Sequence, residues 1–375
     1  MSEGEGRGSA LLPMLVEAGG VVRDYHGSGL VRHFGDPQAE YEAATLRAAV
    51  FDRSHRTRLK ISGRAPAQML SGVVTGRVPG EPEPTEDGGF AGLGAYQAIL
   101  TPKGKMISDA YLFRLGEEDG SGFLLDVPVA GRAGLLEHFG KFMPPRFAKV
   151  EDVSTEWASI SVVGPQAAAL LSRVAFGLRV DAAWLEASAE GAWRSIGEPG
   201  DGLLVARTAD VWPEAWTAYG PTEGVAALWR ALVASDAAPA GLGVWGTLRV
   251  EAGRPVFGTD MDERTIPPEA GIVERAIDQT KGCYTGQEVI VRIRDRGHVN
   301  RQLRRLSFGD IPAPSKGTEL LAADDSGKVV GEVTSVVQSP KAGGVLALAY
   351  VRRGVERARL GEVDYDVPAD FPAPF

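Results

Sequence analysis

The densest concentration of reactive side chains lies in residues 281–305. The string Lys281-Gly282-Cys283-Tyr284-Thr285-Gly286-Gln287-Glu288 contains the only cysteine of the 375 residues. Through Arg305 the stretch carries seven Lys/Arg against two acids, in a chain of net charge −9. A lone thiol forms neither an intramolecular disulfide nor a Cys-rich metal site. Lys281, Arg292, Arg294, Arg296 and His298 are neighbours that favour its thiolate, the nucleophilic and metal-binding form. The competing reading is a small structural side chain. Val289, Val291 and Ile293 alternate with Ile290, Arg292 and Arg294, which predicts a strand with one apolar face and one face that turns basic. That basic face is either solvated and ion-paired or a site for a carboxylate, a phosphate or a nucleic-acid backbone. Aromatic residues are sparse here, which argues against a stacking platform for single strands.

Asp109 is the second candidate. The spacing predicts a strand over 105–114 with Ile107, Asp109, Tyr111 and Phe113 on one face and Met106, Ser108, Ala110 and Leu112 on the other. An acid among apolar residues has a raised pKa unless donors satisfy it. Asp109 is therefore a buried, hydrogen-bonded acid, an acid at a sheet edge, or an acid facing a pocket. His55, one of five histidines, closes the string Phe51-Asp52-Arg53-Ser54-His55; a hydrogen-bonded structural role is favoured over a catalytic one.

These residues need a scaffold, and the chain is long enough for two or three domains. Composition is that of a soluble globular protein, with 44% hydrophobic and 24% charged residues. One cysteine fits a reducing compartment. No apolar run reaches the roughly 20 residues of a membrane span, and the N-terminus lacks a basic-then-apolar signal pattern, so the expected location is the cytoplasm. Acidic net charge disfavours bulk nucleic-acid binding. Residues 1–10 read as a disordered Gly/Ser/Glu tail, and 11–22 as an apolar segment packed on the body. Asp36-Pro37 starts a helix running to about residue 49. A loop over 75–94 precedes strands at 95–100, 105–114 and 123–127. Helices follow at 130–142, 165–175 and 221–234, with strands near 151–163, 193–196 and 203–207 between them. Leu59, Ile61, Gly63, Ala67, Leu70, Ser71 and Val73 recur 101 residues later as Ile160, Val162, Gly164, Ala168, Leu171, Ser172 and Val174. Each copy reads as strand, Gly turn and helix, which predicts two similar α+β halves. Short strands at 303–308, 319–322, 328–337 and 344–351 predict a small all-β C-terminal domain. The expected division is 11–299 as the core and 300–375 as the C-terminal unit.

The string KGCYTGQE is similar to the K-G-C-Y-x-G-Q-E signature of the YgfZ family. Its flanks also match: GRPVFGTDMD from Gly253, IPPEAGI from Ile266 and RGHVNR from Arg296. FDRSH resembles the F-D-x-S-H segment of the related aminomethyltransferases (T-proteins) of the glycine cleavage system. The resemblance implies an α+β fold of two ferredoxin-like lobes around a central pocket, with a C-terminal β-barrel. It implies tetrahydrofolate or a derivative as ligand, with Asp109 where the family keeps its functional acid, Tyr111 on the same face, and Arg207 and Glu214 in the pterin segment. Lys281, Arg292 and Arg294 would orient an anionic partner such as the glutamate tail of folate. Cys283 would be a thiolate that transiently holds iron or sulfur, or a residue that only stabilises its loop. Two segments depart from T-proteins. Asp126-Val127-Pro128 stands where they show an Asn, and RTADVWPE from Arg207 stands where they show R-T-G-Y-T-G-E. The function so implied is a folate-dependent accessory protein for iron–sulphur cluster assembly or repair. Its partners are iron–sulphur client proteins, radical-SAM enzymes among them, with an indirect link to tRNA modification. The alternatives are aminomethyl transfer to tetrahydrofolate and a folate-free scaffold.

Overall fold

The structure, a computed structural model, describes residues 8–25, 27–86, 88–174, 182–195, 202–213, 215–324 and 326–371. Among these residues one lobe is built on a five-stranded antiparallel sheet. Its order is Lys149–Asp152, Thr57–Ser62, Phe123–Val127, Met106–Arg114, Ala95–Leu100. The other is built on an eight-stranded sheet centred on Ala49–Asp52, Trp157–Val163, Ala215–Pro221, Leu204–Thr208 and Ala192–Ser195.

The 101-residue repeat is visible as structure. Strand Thr57–Ser62 leads into helix Pro66–Val73, and strand Trp157–Val163 leads into helix Ala167–Val174. Gly63 and Gly164 turn each corner with φ of +136° and +122°. A Cβ there would lie 2.9 Å from the Phe147 carbonyl oxygen and 2.5 Å from that of Arg47. Both corners therefore require glycine.

One strand is exchanged in each direction. Ala49–Asp52 precedes the first lobe in sequence but pairs with Trp157–Val163 of the second. Lys149–Asp152 precedes the second lobe but pairs with Thr57–Ser62 of the first. Each donated strand ends in the same turn: Ser54 N–H donates to Asp52 Oδ1 at 2.9 Å, and Ser154 N–H to Asp152 Oδ1 at 3.0 Å.

Strand alternation then builds the layers. Outward residues such as Leu59, Ile61, Leu112, Phe123 and Leu125 pack under the first lobe's helices. Ile160, Val162, Val205 and Trp216 do the same in the second. Inward residues Tyr96, Tyr111, Phe113, Leu124, Trp193, Leu204 and Tyr219 meet between the two sheets. Helices lie outside, and two sheets face each other across an aromatic layer.

The C-terminal residues form a curled six-stranded half-barrel. Its order is Arg301–Gly309, Gly344–Arg352, Val329–Ser339, Glu319–Ala322, Arg357–Leu360, Val363–Asp366. It docks on helix Leu242–Glu251 through Val250, Leu303, Leu346, Leu348 and Tyr350. A polar clasp reinforces the joint: Arg249 pairs with Asp260 at 2.6 Å, and Ser335 and Thr334 donate to the same carboxylate.

Several expectations are corrected. Residues 287–296 form a helix, Gln287–Arg296, not a strand. The run Val289–Ile293 also satisfies helical spacing, and a short β-branched run does not decide between the two periods. Gly286, at φ +85°, starts the helix, and the Glu288–Arg292 pair at 2.7 Å bridges one turn of it. In Met106–Arg114, Ile99 pairs with Ser108 and Leu100 with Met106, so Ile107 is bulged. The extra residue shifts the alternation. Ile107 packs with the outward cluster and Met106 with the inward one, opposite to the sequence reading. The helix from Pro37 ends at Leu46, because Ala49–Asp52 is needed as a strand of the second lobe's sheet, between Ala238–Ala240 and Trp157–Val163. The 75–94 loop contains the strands Glu83–Pro84 and Phe90–Leu93. Residues 1–7 of the expected tail, Ala175 and Ile196 lie outside the described residues.

The glycine corners give a direct test. Gly164→Ala is expected to destabilise by roughly 1–3 kcal/mol, through strained backbone and the carbonyl contact. An alanine in place of exposed Gly72, with open space around its Cβ position, is expected not to destabilise. Chemical denaturation of both variants measures the difference.

Candidate functional site

A cavity of about 200 Å³ opens where the inner faces of the lobes meet helix Leu242–Glu251 and the segment after it. The crossing segment after Ala49–Asp52 brings Arg53, His55 and Arg56 to it; Met106–Arg114 brings Asp109; the turn after Leu204–Thr208 brings Asp210. Trp245 and Arg254 close the far side.

Asp109 is 4% exposed. Its Oδ2 accepts the Tyr96 hydroxyl at 2.7 Å, and its Oδ1 has no partner among the described residues. Burial raises its pKa, and Arg56 and the Tyr96 bond only partly offset this. Asp210 moves the other way. Burial would raise it, but Arg275, Arg56 and Arg53 outweigh burial and hold it below the usual carboxylate range. Two carboxyls of one cavity are thus driven apart, the pattern that separates a proton donor from a permanent anion.

Arg56 faces Asp126: its Nε donates to Oδ2 at 2.7 Å and its Nη2 to the backbone oxygen at 3.2 Å. His55 is pushed well below 6.5 by burial and then by Arg53, Arg56 and Arg58, so it is neutral. Arg275 braces the wall. It lies over the Tyr96 ring at 3.8 Å and pairs with Asp210 at 3.0 Å. It also bonds Glu190 and the Tyr111 hydroxyl.

The residues singled out in the sequence fall into separate places. Asp109 lines the cavity. Tyr111 sits behind it, donating to Glu190 at 2.7 Å and accepting from Ala209 N–H at 2.9 Å. Arg207 lies over Trp216 and donates to the carbonyls of Leu185 and Glu186. Glu214 lies outside the described residues. Arg292 and Arg294 are exposed on their helix and pair locally with Glu288 and Asp295. Lys281 donates to the carbonyls of Ser71, Val74 and Gly76 at 3.0, 2.7 and 2.8 Å. It caps the C-terminal end of helix Pro66–Val73, and burial pulls its pKa down to about 8. Thr285 N–H adds a bond to the Gly72 carbonyl at 3.0 Å. The signature loop is thereby clamped to the first lobe, with Cys283 exposed on it and outside the cavity lining. Among the described residues no group of three His, Cys, Asp or Glu is placed to hold a metal ion. No described helix is long and apolar enough to cross a membrane.

Sequence reasoning missed Arg53, Arg56, Asp210 and Trp245 as cavity residues, and Arg275 as the brace behind them. One signal was present for the first two. FDRSHR places two arginines between two apolar strands, in a segment that the repeat aligns with the less charged Asp152-Val153-Ser154.

The comparisons agree with this architecture. The GCVT N-terminal domain family matches residues 11–281, and the glycine cleavage T-protein C-terminal barrel domain matches residues 301–372. The chain is 31% identical over 331 residues to an aminomethyltransferase of Rubrobacter xylanophilus, covering 88% of this chain and 82% of that protein. It is 27% identical over 361 residues to one of Streptomyces coelicolor, covering 94% and 91%. The crystal structure of glycine cleavage system aminomethyltransferase T from Bartonella henselae superposes with a TM-score of 0.80 over 99% of both chains, at 18% identity. A two-lobed α+β protein with an interlobe acid and a C-terminal half-barrel is thus the class defined here. The chain belongs to the glycine cleavage T-protein (GCVT) family.

Two outcomes follow from this geometry. Because the folded state holds the Asp109 proton more tightly than the unfolded chain, stability falls as pH rises from about 4 through the raised folded value. Asp109→Asn removes this cost, so its thermal midpoint should exceed wild type near about pH 7 and converge with it at about pH 3. Lys281→Met removes three hydrogen bonds to carbonyls and is expected to lose roughly 1.5–3 kcal/mol. Limited proteolysis should then cut within residues 281–286.

Proposed function

We propose that the protein binds tetrahydrofolate or a derivative in the interlobe cavity, with Asp109 as the acid that faces the ligand. The observation that carries this reading is the buried Asp109 carboxyl, fixed by Tyr96 through one oxygen and unpartnered on the other. An orphaned buried acceptor fits a ligand N–H or a shared proton. Apolar walls from Phe257 and Val256 fit a flat ring. The cavity is smaller than the roughly 300–1,000 Å³ that encloses a drug-sized molecule, so it would hold one part of a folate. When bound, the folate would supply a one-carbon carrier. The chain's contribution is to exclude water, orient the ligand and hold or release a proton at Asp109.

Two activities can be built on that site. Aminomethyl transfer is the one that the comparisons support more directly, since the curated relatives carry that name. The second is an accessory role in iron–sulphur cluster assembly or repair, with radical-SAM clients and an indirect effect on tRNA modification. Its support is the KGCYTGQE signature, with exposed Cys283 on a loop clamped by Lys281. Two departures in the folate segment also favour it: Asp126, paired with Arg56, stands in place of Asn, and RTADVWPE in place of R-T-G-Y-T-G-E.

A tetrahydrofolate titration by calorimetry tests the shared claim. Saturable binding is expected, weakened by about tenfold or more in Asp109→Ala; no binding by folded wild type removes the folate reading. Supplying an aminomethyl-loaded lipoyl carrier protein separates the two activities. Methylene-tetrahydrofolate formation establishes transfer. Its absence, with methylthiolated tRNA lost in a strain lacking the gene and restored by wild type, establishes the accessory role. Failure of Cys283→Ala to restore it assigns the thiol a chemical part.

A further inference from the structure

Arg53 and Arg254 line the cavity, and among the described residues neither has a paired carboxylate. Arg53 is 6% exposed, yet among the described residues no carboxylate lies within 4 Å of it and its guanidinium makes no hydrogen bond. It lies over the Trp245 ring at 3.8 Å. Stacking on the ring restrains the guanidinium, which lines the cavity. Arg254, half-buried on the same cavity, has a sealed Nε with no acceptor. Of the other cavity arginines, Arg56 is committed to Asp126 and Arg249 to Asp260, while Arg32 is exposed to solvent at the rim. The acids do not neutralise the surplus. Asp210 is engaged by Arg275, and burial favours the neutral form of Asp109. Burial and the neighbouring Arg56 pull Arg53 down to about 10. A buried cation in this condition is costly unless an anion joins it.

We propose that the Trp245 side of the cavity is a carboxylate-binding subsite, with Arg53 and Arg254 as guanidinium donors and the Trp245 ring as the platform that orients Arg53. A planar carboxylate matches the planar edge of a stacked guanidinium and takes two parallel N–H bonds. The small volume, bordered by Asp109 and Asp210, disfavours a dianionic phosphate. The carboxylate has two possible sources: the glutamate tail of a bound folate, in which case the subsite rests on the folate reading, or a separate small acid beside the ligand.

The test uses full-length wild type, Arg53→Gln and Arg254→Gln, with Arg264→Gln on an exposed surface pair as control. The probes are acetate, tetrahydrofolate and a tetrahydropterin lacking the benzoylglutamate tail. A separate acid predicts that acetate raises the wild-type thermal midpoint saturably beyond sodium chloride of equal ionic strength. This shift should be lost in both cavity variants and kept in Arg264→Gln. The folate tail as source predicts tetrahydrofolate binding weakened by about tenfold or more in Arg53→Gln, with tetrahydropterin binding unchanged. If acetate has no effect on wild type and both variants bind tetrahydrofolate as wild type does, the proposal is overturned. If acetate acts but neither pterin compound binds wild type, the folate reading falls and the subsite stands. Should Arg53→Gln fail to melt cooperatively, the wild-type acetate titration and Arg254→Gln decide.

Discussion

The exchange of strands between the lobes is the constraint on which the site rests. Ala49–Asp52 completes the second lobe's sheet and Lys149–Asp152 the first's. Neither lobe can leave the other without stripping a strand from its own sheet. The exchange forces two crossing segments through the interface, at Asp52–Ser54 and Asp152–Ser154. The crossings are nearly equivalent in backbone: Arg53 N–H donates to the Ser159 carbonyl at 2.9 Å, and Val153 N–H to that of Arg58 at 3.0 Å. Their side chains differ. One places a guanidinium where the other places a valine, so the two crossings of a scaffold with internal symmetry differ in charge.

Buried charge then organises the neighbourhood. Four arginines, at 53, 56, 58 and 275, are held between or beside the sheets, where attraction to acids is weakly screened. Asp126 faces Arg56, and Asp210 is held by Arg275. Asp109 is left as the acid that burial, more than any cation, governs. Such networks are costly to assemble and costly to break. The aromatic layer of Tyr96, Tyr111, Phe113 and Tyr219 supports this one by excluding water and by supplying hydroxyls at its edges.

The signature loop belongs to a different part of the architecture. Lys281 and Thr285 fasten it to the end of helix Pro66–Val73, and Gly286, whose Cβ would lie 2.6 Å from the Thr101 carbonyl oxygen, lets it pass against the first lobe. The most distinctive motif of the sequence therefore secures a surface bearing one exposed thiol. The least conspicuous charges, in FDRSHR, line the cavity. Family membership and the cavity together support folate; the loop is what sets this chain's signature beside the T-protein pattern.

Local sequence determined what local physics controls. The Gly63 and Gly164 corners, the repeated strand-and-helix pattern, the Asp36 cap and the alternation that turns Asp109 inward were legible, since each depends on neighbours a few residues away. The resemblance added the two-lobed fold and the C-terminal half-barrel. Tertiary structure decided the rest. Whether residues 289–293 became strand or helix depended on Ile290 packing inward and Gly286 starting the turn, because a short β-branched run satisfies both periods. Which face Ile107 took depended on a bulge set by its partner strand. Which arginines gained acids depended on contacts between residues far apart in sequence: 56 with 126, and 275 with 210. Arg53 met the Trp245 ring across nearly 200 residues. Charge pairing over such separations has no period and no local spacing, so only the folded chain assigns it.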